Sequence, residues 1–87
     1  MLKLPLWFVT DKESQDTLAF SDINRLRSFM LHSGIRAEDI TVANDRDGLI
    51  AVVADAHMRG LSYVYVDPDS DGHGGQPLLL TDLMRVE

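Results

Sequence analysis

The chain has 87 residues, 45% of them hydrophobic and 25% charged, a balance that excludes a disordered tail and predicts one soluble domain over residues 1–87 with a single core. Fourteen acidic against eight basic side chains give a formal charge of −6. Without a local Lys or Arg cluster, that sign repels phosphate backbones, so nucleic acid is not an expected partner.

No cysteine is present, which removes disulfides, thiol catalysis and cysteine-ligated metal centres together and fits a reducing compartment. The apolar start, MLKLPLWFVTD, is interrupted by Pro5 and reaches Asp11 too early for a signal peptide. No run approaches the ~18 apolar residues of a membrane span, so no membrane partner is expected and a cytoplasmic location is.

Leu6 to Thr10 and Thr17 to Phe20 read as two short strands, separated by the polar stretch DKESQD. The period then changes. Ser21 is suited to cap a helix with Asp22 in its first turn, and Ile23, Leu26, Phe29 and Met30 follow at helical spacing. His32 falls in the last turn, and Gly34 before Ile35 predicts a Schellman-type stop.

Ile40 to Ala43 is a third strand. Asn44 or Asp45 then caps a helix with Leu49, Val52, Val53 and Ala56 on one face, ending at Arg59 and Gly60. Ser62 to Val66 follows as a strand, making residues 40–67 a strand–helix–strand unit; if its strands are neighbours, they are parallel. Leu78 to Leu80 offers a last strand, and Thr81 with Asp82 opens a terminal helical turn through Leu83 to Val86. The expected architecture is α/β (or α+β): a small mixed β-sheet with two main helices and a short C-terminal helix, in the order β-β-α-β-α-β-β-α.

The stretch most suggestive of chemistry is LSYVYVDPDSDGHGG, residues 61–75, where a strand runs into alternating carboxylates. Oxygen-rich loops suit hard cations such as Ca or Mg. Read as a calcium loop, Asp67, Asp69 and Asp71 take positions one, three and five, and Gly72 the sixth. Position twelve, however, is Leu78 rather than glutamate, and a strand precedes the loop instead of a helix. The tip NDRDG adds Asp45 and Asp47, which share an edge with the loop if the strands are parallel. The alternative is an ordinary turn, since Asp, Ser, Gly and Pro are the usual turn formers.

Other chemistry finds little support. His57 and His73 are not paired at ligand spacing, Ser62 and Ser70 lack a nucleophile elbow, and GHGG runs into Gln76 and Pro77 rather than a helix N-terminus. A non-enzymatic role is expected. Tyr63 and Tyr65 alternate with Val64 and Val66, so one pair faces the core and a tyrosine stripe facing outward suits a protein partner or self-association.

The order of features resembles the SseB-like domain family. The resemblance rests on Phe20, Ser21 and Asp22 leading into the first helix, and on Leu49 and Gly60 in the second. It continues through the strand YVYV closing at Asp67 and Pro68, and LLLTDLM entering the last helix. This chain departs from the pattern in carrying Asp67 and Asp69 where the family's turn has asparagine and glycine, and in its longer acidic loop. The resemblance implies an α/β or α+β fold and a binding or accessory role, with no catalytic residue carried over.

Overall fold

The computed structural model describes residues 2–10, 16–70 and 74–86. Among these, five strands form one mixed sheet: β1 (Leu6–Thr10), β2 (Thr17–Phe20), β3 (Ile40–Ala43), β4 (Tyr63–Val66) and β5 (Gln76–Leu79). Among the described residues three α-helices accompany it: α1 (Ile23–Ser33), α2 (Arg46–Met58) and the short α3 (Leu80–Leu83), with a 3-10 turn at Ala37–Asp39. The fold is α+β in the expected element order.

Strand order across the sheet is β3-β1-β2-β4-β5. β1 pairs antiparallel with β2 and β3, β2 pairs parallel with β4, and β4 pairs antiparallel with β5. The strands flanking α2 therefore point the same way, but they are not neighbours. β1 and β2 stand between them, because the apolar strands β1 and β2 take the centre of the sheet and send β3 and β4 to either side.

Alternation along each strand divides the core into two layers. On one face Leu6, Phe8, Ala19, Ala43, Val64 and Val66 pack beneath α2 and α3, which contribute Leu49, Ala56, Leu80 and Leu83. On the other face Val9, Leu18 and Phe20 pack beneath α1 through Leu26 and Phe29. One helix must cover a five-stranded face, and a cylinder about 10 Å wide spans roughly two strand spacings. α1 contacts β2 and its layer reaches Tyr65 of β4, while Tyr63 and Leu79 at the β4–β5 end of that face are exposed.

Local chemistry sets the helix ends. α1 is capped by Asp22, whose carboxylate accepts from the Asn24 N–H at 2.8 Å, rather than by Ser21. Both residues can cap, and the choice is tertiary, since the Ser21 hydroxyl and N–H are taken by Asp67. Gly34 ends the helix in the left-handed region at φ 74, donating its N–H to the Met30 carbonyl. α2 is capped by Asp45, which accepts from the Gly48 N–H at 2.8 Å. β5 begins at Gln76, earlier than expected, and Leu80 belongs to α3, its N–H donating to the Ser62 carbonyl. The run LLL has no period of its own, so pairing with β4 decides where strand gives way to helix.

Candidate functional site

The uncovered part of the sheet is built by register. Opposite Tyr63 on β4 lies Leu79 of β5, and opposite Tyr65 lies Pro77. These four side chains share the face on which α1 packs, toward its β4–β5 end, with Val64 and Val66 turned to the opposite, buried face. Tyr63 is 42% exposed and Leu79 53%, whereas Tyr65 is half-buried where it meets the layer under α1.

The two tyrosine rings stand perpendicular, at 89° with centroids 5.3 Å apart, an edge-to-face arrangement favoured by ring quadrupoles. The Tyr65 hydroxyl donates to the Tyr63 hydroxyl at 3.3 Å. That bond raises the Tyr65 phenol above its ordinary value of 10.0, because ionisation would remove the donated proton; the Tyr63 charge, partial burial and the nearby Asp16 carboxylate act in the same direction. A folded-state value above the unfolded one means that the native state holds this proton more tightly. Its contribution is complete below about pH 10 and is lost as pH rises through the folded value. Titration of tyrosinate absorbance should show one phenol ionising late, and Asp16→Asn should move it down; a Tyr65 indistinguishable from free tyrosine would contradict this geometry.

The acidic tips occupy one edge of the sheet, since β3 and β4 point the same way, but three strand spacings, about 14 Å, separate them. Asp45 uses a carboxylate oxygen as the α2 cap. Asp67 uses both, accepting from the Ser21 N–H at 2.9 Å and the Ser21 hydroxyl at 2.6 Å. Asp47 lies exposed in the first turn of α2, and Asp69 is exposed beside Gly74. Asp71, Gly72 and His73 lie outside the described residues. Among the described residues, no three His, Asp or Glu side chains are grouped to hold a metal. A cation loop at this tip would thus depend on Asp69 and Asp71 with Asp67 already engaged. With Asp67 so held, the melting temperature is expected to stay unchanged in millimolar calcium or magnesium. A rise with either ion would establish a bound cation, because a ligand of the folded state stabilises it by mass action.

On the opposite face, a cleft of about 240 Å³ opens between α2 and the threonines Thr10, Thr17 and Thr41. At its end Arg59 donates to the Thr17 hydroxyl at 2.8 Å and pairs with Asp55 at 3.1 Å. This bond satisfies the buried Thr17 and ties the end of α2 to β2. His57 is exposed on α2, away from the tyrosine face.

Sequence alternation identified Tyr63 and Tyr65 but not Leu79, Pro77 or Asp16, which join them only through strand pairing. No helix among the described residues is long and apolar enough to cross a membrane. Comparison with protein-family models, curated proteins and solved structures finds no match to this chain.

Proposed function

We propose that this chain is a non-enzymatic, cytoplasmic binding or accessory module that docks another protein on the open β4–β5 face. The observation that carries this reading is the grouping of Tyr63, Tyr65, Pro77 and Leu79 at the β4–β5 end of a sheet face, where Tyr63 and Leu79 remain exposed among the described residues. Tyrosines are well suited to such contacts, since each offers a rigid apolar ring and a polar tip at little conformational cost. Scattered exposed apolar residues such as Leu31 and Met58 sit singly on helices and need no partner. The resemblance to SseB-like domains supports the same accessory role.

The charge of −6 favours a basic partner, whose association rate should fall as salt rises. The test is site-specific photocrosslinking in extract of the source cells, with the photoreactive residue at position 79, 31 or 58. Position 79 should give a discrete product that Tyr63→Glu abolishes, and positions 31 and 58 should not. Equal products from all three, or a product indifferent to Tyr63→Glu, would remove this face as the docking site.

A further inference from the structure

Resting on that docking reading, we infer that the corner between the Tyr63 and Tyr65 rings seats an arginine side chain of a basic partner segment, in a local field to which the Asp16 carboxylate adds. Three features of the face lead there. First, two perpendicular phenol rings offer negative π-faces at right angles, which attract a cation, and guanidinium is flat enough to stack on one ring while its N–H groups reach outward. Second, the parallel register sets Leu18 beside Tyr65, so Asp16, two residues earlier, falls at the Tyr63 level. Its carboxylate field reaches the Tyr65 phenol. Aromatic faces beside a carboxylate favour a cation over a neutral or anionic group.

Third, the surroundings fit an extended segment held by its side chains. Leu79 and Pro77 adjoin the rings and give apolar surface for the aliphatic stem of an arginine. β5 is the edge strand, but Pro77 in its body has no N–H to donate, so a partner strand cannot complete a ladder along it. Binding must therefore come from side chains on the face rather than from strand addition. Lysine carries the same charge, but as a compact, strongly hydrated ammonium that stacks less well.

The probe is a short peptide with spaced arginines in a glycine–serine background, compared with its lysine and citrulline counterparts by amide NMR titration at low salt. The arginine peptide should shift the signals of Tyr63, Tyr65 and Leu79, and citrulline, which keeps the shape without the charge, should weaken binding by about tenfold. Tyr63→Leu and Asp16→Asn should each weaken it several-fold, while Tyr65→Phe, which keeps the ring, should retain it. Trp7 emission, from a side chain packed in the layer under α1, verifies that each variant is folded.

Equal binding of the arginine and citrulline peptides would overturn the inference. So would shifts spread over Asp45, Asp47 and Asp69 and unmoved by Tyr63→Leu, which would show general attraction to an acidic surface. Failure of the arginine peptide alongside a specific crosslink at position 79 refutes the arginine anchor alone. Failure of both refutes the docking face with it.

Discussion

Replacing Phe20 with alanine is expected to destabilise the fold by about 3–5 kcal/mol, the range for emptying a buried aromatic site. Phe20 is fully buried, and its ring centroid lies 5.3 Å from that of Phe29. On the sheet it pairs with Trp7, and through Phe29 and Leu26 it holds α1 to its face. The cavity would open at the junction of strand and helix, where β2 and its neighbours cannot collapse without breaking pairing on both sides. Domains of this size have ~5–15 kcal/mol in total, so the loss is a large fraction of stability. Chemical denaturation followed by Trp7 emission should show a lower midpoint with little change in slope. Phe20→Leu, closer in volume, should cost about half as much or less. A cost below about 1 kcal/mol for alanine would mean that α1 does not dock through this side chain.

Asp67→Ala has the next largest expected effect, about 2–3 kcal/mol from two independent causes. The carboxylate accepts two hydrogen bonds from Ser21, fastening the end of β4 to the segment that leads into α1. Asp67 also sits at φ 50, and among the described residues it is the one non-glycine residue with positive φ. Aspartate tolerates that region better than alanine does. Asp67→Gly separates the causes: it removes the hydrogen bonds but relieves the backbone, so it should be about 1 kcal/mol less harmful than alanine. Asp67→Asn keeps an acceptor for the Ser21 N–H and an amide able to donate to its hydroxyl, and should be the mildest of the three. If alanine and asparagine cost the same, the Ser21 bonds contribute nothing to stability.

This second result also bears on the acidic loop. The alternating aspartates left a cation loop and an ordinary turn both open, because sequence shows spacing but not occupancy. The first of them has a structural partner 46 residues away in sequence, at a position that reads as an ordinary helix cap. Ser21 and Asp22 illustrate the same limit, since the local pattern places the α1 cap at Ser21 and the approach of Asp67, which takes the Ser21 hydroxyl, leaves the cap to Asp22.

Where a pattern is local, it was legible. The apolar runs of β1 and β2, the strand at Ile40–Ala43, an α2 cap at Asn44 or Asp45, of which the fold uses Asp45, and the stop at Gly34 follow from period and punctuation. Sheet order was not legible, because nothing in a strand–helix–strand unit tells its two strands that others will insert between them. The tyrosine face was half legible for the same reason. YVYV declares that two rings share a side, but Leu79 and Pro77 arrive by antiparallel pairing and Asp16 by parallel pairing, and neither register is written in the local sequence.

If the β4–β5 face docks a protein as proposed, amide hydrogen exchange of the chain, alone and in complex with the partner captured through position 79, should show added protection over residues 63–66 and 76–79, with α2 and the acidic tip at 44–48 unchanged. Protection confined to α2 or to the acidic tips, with 63–66 and 76–79 exchanging as in the free chain, would contradict it.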